Sequence, residues 1–129
     1  MALTGWEARP FVAGPISQAA GGSAVQVPVM RVPRKLKLDA VRIAVGAAIT
    51  ADDSNYVTIA LTDGATTYAT ASTTTSGTGD ISANSFVDLT ISTAEVDAGT
   101  QLYLSLTQAG TGVDVTNLVM QLEFEYQDA

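Results

Sequence analysis

Residues 56–72 read YVTIALTDGATTYATAS, which is two strand-like segments joined by a tight turn. Apolar and polar residues alternate through the first segment, YVTIALT, as they do in a strand with one buried face. Asp63-Gly64 is a strong hairpin signal, because these residues tolerate the positive φ of tight turns. The second segment, residues 66–72, is small residues and threonine apart from one tyrosine, which predicts an exposed or edge strand. The stretch therefore predicts an antiparallel hairpin.

The same alternation continues downstream in residues 86–92, 101–108 and 117–126. Between the first two of these, STAE at residues 92–95 resembles a capping box and predicts one short helical turn. Seven or eight short strands about ten residues apart, with no long helical periodicity, are typical of an all-β protein. We predict a single antiparallel β-sandwich. The pattern leaves jelly-roll and immunoglobulin-like topologies open.

Upstream of the hairpin, the apolar register slips by one residue between Leu38 and Val41. Such a slip turns a regular strand over, so we expect a bulge or bend at Asp39 and Ala40. The preceding strand, in residues 25–32, contains Pro28. Because proline has no N–H for a strand ladder, this segment is predicted at a sheet edge or as an irregular strand.

Residues 1–24 contain four glycines and two prolines and show no periodicity. They predict an extended N-terminal arm preceding a sandwich domain of residues 25–129. Trp6, Phe11, Val12 and Ile16 are too apolar for a purely solvated tail, so we expect them to dock. The surface that receives them is either their own domain or a neighbouring subunit or partner.

Charge is segregated along the chain. Residues 1–42 hold all six basic residues and two acidic ones, whereas residues 43–129 hold eleven acidic residues and no basic one. Five of the cations lie in residues 30–42, MRVPRKLKLDAVR. With no interleaved aromatics and an acidic body behind it, this stretch is a poor nucleic-acid site. Two interpretations remain, a patch that orients the protein on an acidic neighbour and solvated edge-strand cations that block aggregation. The candidate contacts are Arg31, Arg34, Lys35 and Lys37.

The composition gives little support for catalysis. The chain has neither cysteine nor histidine, so disulfides, thiolate metal sites and the usual nucleophile–base pairs are absent, and we predict a non-enzyme without a cofactor. Asp52, Asp53 and Asn55 could ligate Ca²⁺, but they match no calcium-loop motif, and turn formation is the favoured interpretation. No stretch approaches the length of a membrane span and no export signal is visible, which predicts a soluble protein made in the cytoplasm.

Three stretches together resemble the small β-sandwich decoration or cement proteins of bacteriophage capsids. They are AVRIAVGAAITADDSNYVTIALTDGATTYATAS (40–72), STAEVDAGTQLYLSLTQAGTGVDV (92–115) and LVMQLEFEYQD (118–128). The resemblance covers about residues 36–129. It implies a virion protein that binds the major capsid protein on the outer face of an icosahedral shell, commonly as a homotrimer, and stiffens it. The implied arm contacts are Trp6, Arg9, Phe11 and Ile16.

A second function fits the same sequence pattern. The chain could be a receptor- or glycan-binding module of a phage head fibre or tail. Its sugar contacts would then be Tyr56, Tyr68 and Tyr103.

Overall fold

The computed structural model describes residues 9–127, and this part of the chain is built of strands without a helix, so it holds none that could cross a membrane. The ten strands are β1 (Arg9–Gln18), β2 (Val25–Arg31), β3 (Leu36–Ala44), β4 (Tyr56–Thr62), β5 (Thr67–Ser72), β6 (Val87–Asp88), β7 (Thr90–Ile91), β8 (Glu95–Val96), β9 (Gln101–Ala109) and β10 (Val115–Tyr126). The predicted all-β sandwich is confirmed.

The strands form two antiparallel sheets packed face to face. Sheet A has the order β1-β10-β3-β6, with β8 also paired to β3, and sheet B has the order β2-β9-β4-β5-β7. Four pairings are nested about the turn after β4: β4 with β5, β3 with β6 and β8, β2 with β9, and β1 with β10. The chain is thus one long hairpin wrapped into two sheets. Of the two topologies that the sequence left open, this is the jelly roll.

The core fills the space between the two sheets. Alternate residues of the long strands are fully buried, and burial of each large aliphatic side chain contributes about 1.5–3 kcal/mol to stability. Sheet A supplies Leu36, Ile43, Leu118, Met120 and Leu122, and sheet B supplies Ile59, Leu61, Leu102, Leu104 and Leu106.

Two local predictions for the early strands are confirmed. Ala40 pairs with Glu123 but Leu38 pairs with Phe124, so β3 carries one extra residue, Asp39, as a bulge against β10. The bulge keeps the apolar residues on both sides of it facing the core. β2, which contains Pro28, is an edge strand of sheet B.

Three local predictions are wrong. Residues 92–95 form no helical turn; the Ser92 hydroxyl donates to the backbone carbonyl of Thr67, and Glu95 enters β8. Residues 86–92 are not one strand, because the chain leaves sheet A for sheet B at the buried Leu89. β5 is neither exposed nor an edge strand, since it lies between β4 and β7 and its small residues allow close packing over the core.

The region of the predicted arm divides at residue 9. Residues 9–18 form β1, which pairs with β10 and so belongs to sheet A. The register shifts between Ala13 and Ile16, and Gly14 has a φ of 108°, so the alternation that would have revealed a strand is broken. A Cβ at Gly14 would lie 2.6 Å from the carbonyl oxygen of Leu118, which explains the glycine. Residues 1–8 lie outside the described residues.

Candidate functional site

The sandwich has two ends with different connections. One end, which we call the turn end, is formed by the short connections at residues 32–35, 63–66 and 97–100 and by the start of β1. The opposite end, the loop end, is formed by residues 19–24, 45–55, 73–86 and 110–114. The antiparallel pairing places the start of β1 beside the last residues of β10, because Arg9 pairs with Phe124.

The turn end gathers most of the residues predicted to bind a partner. Arg31 ends β2, Arg34 and Lys35 lie in the following turn, and Lys37 lies near the start of β3; all four are exposed. Arg9 begins β1 at the same end. Trp6 lies outside the described residues, three positions before Arg9. Two segments predicted separately as contacts therefore meet at one end of the molecule.

The cations of the turn end are partly matched by local partners. The Arg34 guanidinium lies 4.6 Å from the ring centre of Tyr126, within cation–π range. The Lys35 ammonium lies 3.3 Å from the Glu95 carboxylate. Because both members of that ion pair are about half exposed, water screens it and it contributes little to stability.

The edge-strand interpretation is wrong for the part of the basic stretch that lies in β3. β3 lies inside sheet A, between β10 on one side and β6 and β8 on the other. On the outer face of the sheet, Arg42 binds Asp88 at 3.0 Å and also binds Glu123, and these hydrogen bonds and charges raise the pKa of Arg42. Folding therefore places strands from the acidic later part of the sequence on both sides of β3.

A pair of carboxyl groups lies beside the bulge at the turn end. A hydrogen bond with Asp39, some desolvation and the nearby negative charge of Asp39 raise the pKa of Glu125 above its ordinary value, while Lys37 opposes the shift. Glu125 therefore holds its proton more readily than an isolated glutamic acid does.

Phe11 and Ile16 pack partly buried against the core of their own sandwich. Ile16 lies towards the loop end, where it pairs with Leu118. Of the two predicted docking surfaces, their own domain receives these side chains. The structure therefore does not bring Ile16 together with the basic residues.

Two large apolar side chains are exposed in the part of the chain that the structure describes. Val12 on β1 is 59% exposed and Phe86, just before β6, is 52% exposed. Val12 was expected to dock together with the other apolar residues of the N-terminal segment, and its own sandwich leaves it exposed, whereas the sequence pattern did not mark Phe86 as a contact. Beside Phe86 is a shallow depression of about 340 Å³ whose lining includes Ala44, Val119 and Asn117.

The acidic residues of the loop end act as turn and loop braces. The Asp52 carboxylate accepts hydrogen bonds from the backbone N–H groups of Asn55 and Ser54 at 2.7 and 2.8 Å, which lowers the pKa of Asp52. Asp53 similarly accepts from the backbone N–H and the hydroxyl of Thr75, and Asp80 from the N–H of Ala51. This geometry supports turn formation over a calcium site. Within residues 9–127 no group of three or more acidic side chains is arranged to hold a metal ion.

The three tyrosines do not form one sugar-binding platform. Tyr68 is buried and its hydroxyl donates to the Asp63 carboxylate at 3.0 Å; burial and then this contact raise the pKa of Tyr68. Tyr56 and Tyr103 lie at opposite ends of the β4–β9 ladder, since Tyr56 pairs with Ala109 and Tyr103 with Thr62. Six residues of strand separate them by about 20 Å.

No protein-family model matches the chain, and no curated protein matches it at a significant level.

Proposed function

We propose that this protein is a virion structural protein that binds the major capsid protein on the outer surface of an icosahedral phage capsid, as a trimer, and stabilises the shell. The observation that carries the proposal is the turn end. There the segment containing Trp6 meets the sandwich at Arg9, beside the exposed Arg31, Arg34, Lys35 and Lys37.

The size of this end explains why the N-terminal segment is needed. The two sheets lie about 10 Å apart and are four and five strands wide, so with their side chains they present an end of about 20–25 Å by 20 Å, or roughly 400–500 Å². A stable protein interface uses about 800 Å² from each partner. Residues 1–8, with the aromatic Trp6, would supply the remaining area and a residue type favoured at interface centres.

The rest of the sandwich suits a role as a rigid clamp. At the loop end, the Asn55 side chain accepts a hydrogen bond from the backbone N–H of Thr111, and Asp114 accepts one from Ala20, so neighbouring loops brace each other. A protein that binds the assembled shell and not its separated subunits stabilises the shell by mass action. A rigid body transmits that stabilisation because little binding energy is lost in ordering it.

The test is binding to purified, expanded phage shells. We expect the protein to co-sediment with shells and to raise their melting temperature. Deleting residues 2–8 should abolish co-sedimentation without changing the circular dichroism spectrum of the sandwich, because β1 begins at Arg9. Failure to co-sediment with any shell, or full binding by the truncated protein, contradicts the proposal.

A matched pair of charge variants separates the turn end from the rest of the surface. Arg31→Gln with Lys37→Gln lowers the net charge by two and should weaken shell binding about three- to tenfold at low salt, with a smaller effect at high salt. Ser76→Glu with Ser82→Glu lowers the net charge by the same amount at exposed positions of the loop end and should leave binding unchanged. Equal effects of the two changes would mean that only net charge matters.

A further inference from the structure

The two lateral edges of sheet A each expose one large apolar side chain. β1 forms one edge and presents Val12, whereas Phe86 lies just before β6 at the other edge. Both side chains are on the outer face of the sheet. Val12 is in register with Gln121, Arg42 and Asp88 across the four strands of the sheet. Phe86 borders the depression over Ala44 and Val119, which pair two residues further along the same ladder.

The two edges also carry opposite charge. Residues 9–18 contain Arg9 and no acidic residue, whereas residues 86–97 contain Asp88, Glu95 and Asp97 and no basic residue. Asp88 and Glu95 contact Arg42 and Lys35 of their own chain, but their side chains remain 75% and 57% exposed, and Asp97 is exposed as well. By sequence, the β1 edge thus combines an exposed apolar residue with one positive charge, and the other edge combines an exposed apolar residue with negative charges, which is a complementary arrangement.

One copy cannot bring these edges together. β10 and β3 lie between β1 and β6, so the edges are about 14 Å apart at a strand spacing of about 4.8 Å. Since the two surfaces differ, a contact between them joins copies head to tail, and such contacts generate closed rings when the rotation closes.

We propose that β1 of one copy packs against the edge formed by β6 and β8 of a second copy, with Val12 entering the depression beside Phe86, and that repetition of this contact closes the trimer. That three copies close the ring rests on the proposed function, whereas the contact itself depends only on the exposed apolar residues and charges of the two edges. Side chains make the contact, not a continuous strand ladder. Pro10 and Pro15 have no N–H groups to donate, and β6 and β8 are only two residues each.

The test is the solution mass of the full chain and of two single variants, Val12→Asp and Phe86→Asp, measured by light scattering and sedimentation. We expect a trimer for the unchanged protein and a monomer for each variant. Because both positions are exposed, the variants should keep the unchanged circular dichroism spectrum. Gln26→Asp, on the edge strand of sheet B, is the matched control and should remain trimeric.

Mixing the two variants tests the head-to-tail geometry directly. The Val12→Asp chain keeps an intact Phe86 edge and the Phe86→Asp chain keeps an intact β1 edge, so one junction can form and the mixture should give one-to-one heterodimers. A contact between identical edges predicts no pairing in the mixture and would overturn the proposal. So would a monomeric unchanged protein at its highest soluble concentration, or a variant that stays trimeric. Co-sedimentation of a monomeric variant with shells would still support the proposed function, so the two failures are distinguishable.

Discussion

Glu125 is the residue at which the local environment most clearly changes the chemistry of a side chain near the turn end. Its pKa lies above the ordinary value because the Asp39 carboxyl group is a hydrogen-bond partner and a like charge. The folded state therefore holds the proton more tightly than the unfolded state. The stabilising contribution is complete below the ordinary pKa and is lost as the pH rises through the raised pKa. At neutral pH the two carboxylates repel each other.

Glu125→Gln should therefore stabilise the protein at neutral pH. The neutral amide removes the repulsion, and its N–H groups can donate to the Asp39 carboxylate as the protonated acid does. We expect a higher midpoint of urea unfolding for the variant at pH 7. The difference from the unchanged protein should shrink as the pH falls through the raised pKa of Glu125. A variant less stable at neutral pH would contradict this account.

Glu95→Gln is the control at the same end of sheet A. Glu95 pairs with Lys35, so losing its charge should leave the stability unchanged or slightly lower, opposite in sign to the change at Glu125. Both variants keep Asp52 and Asp63, so comparing them also cancels the loss of stability on acidification that these two groups cause. The pKa values of these groups are lowered by backbone N–H donors, and their contribution is lost on acidification.

At the scale of single elements, the bulge in β3 allows a deletion that a regular strand does not. Asp39 is the extra residue between Leu38, which pairs with Phe124, and Ala40, which pairs with Glu123. Deleting Asp39 leaves Leu38 and Val41 facing the core, with Ala40 between them facing out. We expect the deletion variant to fold with a native-like circular dichroism spectrum and a lowered melting temperature, because β6 and β8 must readjust on the other side of β3.

Deleting Thr58 is the matched control in an unbulged central strand. The pairing of β4 with β9 is regular along its length, so removing one residue directs Val57 or Ile59 to the wrong face. This variant should not fold. Equal tolerance of the two deletions would show that the bulge does not set the register.

Strand alternation made the bulge, the long strands and the leucine core predictable. The slip between Leu38 and Val41 is a local signal, and it predicts the structure correctly because the spacing of apolar residues shows which face of a strand is buried. The change of sheet at Leu89 was not predictable, since residues 86–92 alternate as one strand would and only the opposite sheet reveals the crossing. β1 was missed because Gly14 and the neighbouring register shifts interrupt its alternation.

At the scale of the whole molecule, the segregation of charge along the sequence is partly cancelled by the topology. The nested pairing places the end of the chain beside its beginning, so β10 brings Glu123 and Glu125 next to Arg42 and Lys37 of β3. The sequence composition predicted a positive edge on an acidic body. Strand order, which depends on contacts between distant segments, determines which charges meet, and composition contains no information about it.

The same nested pairing predicts that the chain can be circularly permuted. Since β1 pairs with β10, Arg9 and Gln127 lie at the same end of sheet A, and residues 128–129 and 1–8 provide ten residues to join them. Opening the joined chain between Ser82 and Ala83, both exposed outside the long strands, leaves all the strand pairs described above intact. We expect this permutant to fold cooperatively, with the same circular dichroism spectrum and a melting temperature within several degrees of the unchanged protein.

Opening between Leu104 and Ser105 instead divides β9, which pairs with both β2 and β4, and should abolish folding. An unfolded permutant opened at Ser82 would mean that the chain order, and not the completed set of strand pairs, is what the jelly roll requires.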